Sequence, residues 1–158
     1  MGSTSHRLQL DADHQARWQI AVGRFVLAFG SMEAAAIEMQ MEVSPVGPTK
    51  RLTFASRLDM ALAAFEGLPN DKATRLCQAL LAVKRLKRFR NSICHSPTHY
   101  QIRQLGNTAP TLCLTLICWQ GGESLSLSEV EALSARADRL ARALFSRWRR
   151  FDRCADGP

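Results

Sequence analysis

Val83-Lys84-Arg85-Leu86-Lys87-Arg88-Phe89-Arg90-Asn91-Ser92-Ile93-Cys94-His95-Ser96-Pro97-Thr98-His99-Tyr100-Gln101-Ile102 holds the change of period on which the fold turns. Up to His95 the apolar residues recur at three- and four-residue steps, continuing a stripe begun by Leu76 and Leu80. That spacing predicts a helix with one buried face. Pro97 cannot sit in a helix interior, and the residue before a proline is biased away from helix. Beyond it Tyr100, Ile102 and Leu105 alternate with polar residues, the period of a strand.

Upstream, Asn70 or Asp71 caps this third helix, and Gly67 with Pro69 stops the one before it. The second helix reads from about Thr49 to Glu66, with Leu52, Phe54, Ala55, Leu58, Leu62 and Phe65 apolar. The first is long, from Asp11 to about Met41, on a stripe of Trp18, Val22, Phe25, Phe29, Met32 and Ala36. Val43-Ser44-Pro45-Val46-Gly47-Pro48 is the loop that ends it.

Downstream, Gly106-Asn107-Thr108-Ala109-Pro110 turns the chain into a second strand, Leu112 to Trp119. Gly121-Gly122 turns it again, towards a short third strand at Leu125-Ser126-Leu127. Ser128 and Glu131 have the spacing of a capping box that opens a last helix to about Phe151. The expected architecture is mainly α: an antiparallel four-helix bundle with a small β-hairpin inserted before the last helix. It forms one domain over residues 11–152, with the β insertion at about 99–127. Residues 1–10 and 153–158 are expected to be flexible.

At 158 residues, with 46% apolar and 22% charged, the chain is long enough for one core. Uninterrupted apolar runs stay well short of the ~18 residues of a membrane helix, and Met1 to His6 lacks the apolar stretch of a secretory signal. A cytoplasmic protein without membrane contact is the expectation. Five cysteines, at 77, 94, 113, 118 and 154, show no C-x-x-C pair, so neither a disulfide framework nor a zinc site is expected. There is no phosphate-binding glycine loop and no metal-binding histidine pair of a known spacing, so no metal or cofactor is implied. Lys and Arg number 21 against 14 Asp and Glu, a net charge of +7. Lys84, Arg85, Lys87 and Arg88 form one basic cluster, and Arg149 and Arg150 belong to another at the C-terminal end. Such clusters either keep a face hydrated or bind phosphate backbones.

Two charges lie on apolar stripes. Glu33 follows Phe29 by four residues on the first helix; Arg90 follows Leu86 by four on the third. A lone buried charge costs several kcal/mol, so the economical expectation is that they pair across the helix one–helix three interface. Arg90 and His95 are about 140° apart on an ideal helix. The approach of Pro97 suggests that the helix loosens there and turns the imidazole towards Arg90 or Asn91. A guanidinium, an amide and an imidazole suit phosphodiester chemistry: His can move a 2′-hydroxyl proton, and Arg can stabilise charge growing on phosphate.

At Arg90-Asn91-x-x-x-His95, closing a long third helix, the sequence resembles the HEPN superfamily of all-helical nucleotide- and RNA-binding domains. Phe29-Gly30-Ser31-Met32-Glu33 also resembles an arrangement recurrent in small proteins of that kind. The similarity spans roughly residues 11–100. It implies a helical bundle that dimerises and a metal-independent endoribonuclease, a toxin or defence effector, that leaves 2′,3′-cyclic phosphate ends. Arg90 and His95 would be catalytic, Asn91 would assist, and Glu33 would support. RNA and an acidic antitoxin-like protein are the implied partners. The alternative is a dimeric helical module that binds nucleic acid or a protein without cutting.

Overall fold

The computed structural model describes residues 9–10, 12–43, 52–95, 98–104, 106, 111–117 and 124–152. Four helices and a small sheet account for nearly all of them. The expected turns at 107–110 and 121–122, the loop at 44–48, and Leu105, Cys118, Trp119 and residues 153–158 lie outside the described residues.

α1, Ala12–Val43, contributes ten buried side chains, from Trp18 to Gln40, on one arc of the helix. α2, Phe54–Phe65, starts later than the sequence suggested, because the Thr53 hydroxyl accepts from the Ser56 N–H at 3.2 Å and caps it there. Its stop is as read: Gly67 has φ +87°, a conformation that favours glycine over any side chain. α3, Asp71–His95, begins where Asn70 Oδ1 accepts from the Ala73 N–H at 2.7 Å. α4, Leu127–Asp152, has a capping box, but two residues before the expected one. Ser126 N–H donates to Glu129 Oε2 at 2.7 Å, and Glu129 N–H donates back to Ser126 Oγ at 3.4 Å. Both Ser126/Glu129 and Ser128/Glu131 have the spacing. Starting the helix at Leu127 buries that side chain at 7% exposure and frees Glu131 to bind Arg17.

The sheet is built on the central strand. β3, Thr111–Ile117, pairs along one edge with β2, Thr98–Arg103, antiparallel, with Tyr100 opposite Leu114 and Ile102 opposite Leu112. Its other edge carries β1, Gln9–Leu10, in parallel, and β4, Ser124–Leu125, antiparallel. β1 falls inside the segment expected to be flexible, and too few residues pair there for alternation to have shown it. Leu116 and Leu125 join the core. Tyr100 and Ile102 share the face of Leu112 and Leu114, but at the sheet's edge they stay 49% and 61% exposed.

Three contacts set the helix directions. Arg17 near the start of α1 grips Glu131 near the start of α4, both hydrogen bonds at 3.0 Å. Farther along, Leu27, Ala28 and Ser31 face Ala141, Phe145 and Arg149 across a groove. α1 and α4 therefore run parallel, where an all-antiparallel arrangement was expected. The reason lies at α2, which starts beside Gln40 near the end of α1 and leads to a start of α3 level with the later half of α1, so that α3 runs back beside α1 and α4 runs with it. α3 is antiparallel to α4: Arg147 near the end of α4 donates to the Arg75 carbonyl at 2.9 Å, near the start of α3. The aromatic group Phe65, Trp148 and Phe151 closes this end, and the sheet occupies the other. His14 Nε2 lies 3.1 Å from the Leu114 carbonyl, tying α1 to β3.

α1 is long and apolar enough to cross a membrane. The sequence reading, which looked for uninterrupted apolar runs, passed over it. The core helix of a soluble protein has the same character, and one arc of α1 is buried within this chain.

Candidate functional site

The motif residues sit at the sheet end, on the last two turns of α3. Among the described residues α3 stays α-helical through His95, so the expected loosening does not occur. Arg90 and His95 keep their helical separation of about 140° and ~7.5 Å along the axis. Arg90 lies in the middle of the α3 stripe and is half-buried. Its guanidinium leans out of the stripe, and Nη1 donates to Asn91 Oδ1 at 3.3 Å. Asn91 and His95 are exposed and one turn apart on one face. The long stem of Arg90 lies along apolar surface while its charge reaches that face, which is how a cation on a core stripe avoids burial.

Lys84 and Arg88 continue the same face towards the middle of α3, and both are exposed. Lys84 holds Asp59 of α2 at 2.6 Å, an exposed ion pair. The Arg88 guanidinium carbon stands 4.5 Å from the centroid of the Phe89 ring, a cation–π contact. Arg85 is exposed farther round the helix, and Lys87 is half-buried. Arg149 and Arg150 are exposed at the opposite end of the molecule. The Arg147–Arg75 contact places them about 30 Å along α3 from His95. The two basic clusters are thus separate surfaces.

Glu33 does not meet Arg90. Among the described residues the ion pairs are Arg17–Glu131 and Lys84–Asp59. The helix directions explain why. Glu33 is level with Arg147, hence with Arg75 at the start of α3, and Arg90 lies ~22 Å farther along. Glu33 is half-buried at the edge of its arc, so its carboxylate is relieved by water. Position on a stripe told which side of each helix the two charges occupy, but not the level at which the helices pass.

Tyr100 was read as a strand residue and is a candidate contact for this site. It is the only tyrosine, 49% exposed, and follows His95 by five residues. The signal in the sequence was its place next to the motif. His99, half-buried, lies on the opposite face of β2, across from Thr115; His99 Nδ1 and Thr115 Oγ1 are both buried without a hydrogen-bond partner. Among the described residues no three His, Cys, Asp or Glu side chains come together as a metal site would require.

No family model matches the chain, and neither a curated protein nor a solved structure is similar to it.

Proposed function

We propose that this protein is a metal-independent endoribonuclease of HEPN type, built as that family's helical bundle, cutting single-stranded RNA at the sheet end of α3. One observation carries the reading: Asn91 and His95 are exposed one turn apart on the face that holds Lys84 and Arg88, and Arg90 reaches that face through Asn91. The cations draw the phosphate chain onto α3. Neutral His95 takes the proton of a 2′-hydroxyl. That oxygen attacks the adjacent phosphorus, and the bond from phosphorus to the 5′-oxygen breaks. The leaving oxygen takes a proton from water, giving a 2′,3′-cyclic phosphate and a 5′-hydroxyl. Arg90, delivered by Asn91, stabilises the charge that grows on the phosphate oxygens. Tyr100 offers a ring on which a flanking base stacks. Such an enzyme works in the cytoplasm, and an acidic antitoxin-like protein would find its complement on the same face.

A second reading is favoured by the regular helix around the motif. With Arg90 and His95 140° apart, one chain suits holding RNA better than cutting it. Labelled single-stranded RNA in EDTA, with wild type, His95→Ala and Arg90→Ala, separates the two. Cleavage by wild type that falls on the order of 10²- to 10⁴-fold in His95→Ala supports the enzyme. Equal cleavage by wild type and His95→Ala rejects it. Retention of RNA that weakens steeply with salt, without product, supports the binding module, and absence of both rejects both.

A further inference from the structure

The side of α1 that borders its groove with α4 at Ile20 and Leu27 carries a seam left largely open by the described residues. Ala16, Ile20, Gly23, Leu27, Gly30, Ala34, Ile37 and Met41 follow one another at alternating steps of four and three, the spacing of a coiled-coil seam. The large members are open to solvent: Ile20 is 54% exposed, Leu27 74% and Met41 56%. Gly23 and Gly30 are unexplained by the chain itself. A Cβ on either meets nothing within 4 Å, and both are interior positions of a helix, where glycine is a poor choice.

We infer that this seam is where two copies of the chain associate, with their α1 helices antiparallel. The pattern maps onto itself when one helix is reversed about the point midway between Leu27 and Gly30. Leu27 of one copy then lies over Gly30 of the other, Ile20 over Ile37, Gly23 over Ala34 and Ala16 over Met41. Large meets small at two of the four levels, Leu27 over Gly30 and Met41 over Ala16; Gly23 over Ala34 is small on small, and Ile20 packs on Ile37.

The charges beside the seam choose the same direction. Arg17, Arg24, Ser31 and Glu38 flank it on one side, and all four are exposed. Reversal brings Glu38 of one copy level with residue 19 of the other, about 3 Å along the axis from Arg17 and about 8 Å from Arg24. The twofold axis repeats this attraction. A parallel pairing would instead set Glu33 against Glu38 of the other copy, like against like. Arg24 makes no ion pair with any described residue of its own chain, so its charge is available.

Light scattering and sedimentation of the full chain at micromolar concentrations test this. The expected species is a dimer of the 17.6 kDa chain. Leu27→Glu, at a side chain outside the chain's own core, raises the dimer dissociation constant on the order of a thousandfold while the helical circular dichroism is kept. Glu38→Arg weakens the dimer, and adding Arg24→Glu restores it. A disulfide between Leu27→Cys and Gly30→Cys chains supports the antiparallel register; an Ala34→Cys chain that links to itself overturns it. A monomer throughout, a dimer indifferent to Leu27→Glu, or a wild-type chain that binds phosphatidylcholine vesicles and stays monomeric without them overturns the proposal.

Discussion

Replacing Ser126 by Ala tests where α4 begins. The Ser126 hydroxyl accepts from the Glu129 N–H at 3.4 Å and donates to Glu129 Oε2 at 2.7 Å, and its own N–H donates to the same carboxylate oxygen at 2.7 Å. Ser128 touches this arrangement only through an exposed hydroxyl contact of 3.1 Å to Ser126. Loss of an N-cap serine costs about 1 kcal/mol, within a range of roughly 0.5–2. In a chain of this size each kcal/mol lowers the melting temperature by roughly 2–4 °C. Ser126→Ala should therefore melt a few degrees below wild type, and Ser128→Ala within a degree of it. The carboxyl of Glu129 adds a pH signature. Hydrogen bonds from the Ser126 side chain, and then from its backbone, hold that carboxyl below its ordinary 4.5. A group depressed by folding stabilises above its unfolded value, and loses that contribution as the pH falls through the folded one. The gap between wild type and Glu129→Gln should thus be full at pH 6 and close only as the pH drops below about 4.5. Calorimetry of the four proteins at both ends of that interval decides the matter. A Ser128→Ala protein that loses as much as Ser126→Ala would place the cap at Ser128 and refute the reasoning.

Thiol labelling should follow burial. Cys94 is exposed, whereas Cys113 is buried and the thiol of Cys77 is pushed up by burial, with Glu66 adding to the effect. Iodoacetamide at neutral pH should modify Cys94 before either, and mass spectrometry of the peptides reads the order. Arg57→Ala should be costly for a half-buried surface residue: it removes the donor to Gln40 Oε1, and Gln40 is 1% exposed. Stranding that amide oxygen is expected to cost about 1–3 kcal/mol, measured by urea unfolding, and a loss below half of that would mean water replaces the arginine. Gly30→Ala should stabilise an isolated chain by about 1 kcal/mol, because the added methyl meets nothing and glycine is a poor helix former. Urea unfolding in a Leu27→Glu background isolates that term, and a loss there would mean the helix needs glycine for its own sake.

Much of the architecture was legible because periodicity and punctuation agree in this chain. Gly67 and Asn70 end and start helices where the pattern breaks, Gly67 through its φ angle and Asn70 through its bond to the Ala73 N–H, and α3 ends at His95, two residues before Pro97 in the sequence. The α4 cap was ambiguous because two serine–glutamate pairs overlap with the same spacing. The choice depended on whether Leu127 is buried and on what Arg17 binds, both tertiary facts. The Glu33–Arg90 pairing failed for a related reason. A stripe gives the angle of a residue around its helix; the level at which two helices pass is set by their directions and connections. Here the parallel course of α1 beside α4 carries Glu33 to the end away from the motif. Within a single helix, spacing sets the angle directly: Asn91 and His95 share a face one turn apart, and both are exposed.

α1 unites these findings. It is apolar nearly all the way round, and such a helix is either wholly buried or faces a second apolar environment. Ten of its side chains, Phe25, Met32 and Met39 among them, fill the chain's own core, so one arc is accounted for. The remaining arc is the heptad seam. Lipid would serve an apolar surface of any pattern, and it would reward large side chains over glycine, since each added methylene in lipid is favourable. It would also resist Arg24 and Glu33 inside a span. A second α1 would account for what lipid leaves unexplained: the alternation of four and three, Gly30 opposite Leu27, and charges of opposite sign at the two ends of one flank. On the proposed pairing, the membrane-like hydropathy of α1 is that of a helix with two protein partners, its own core on one side and its twin on the other.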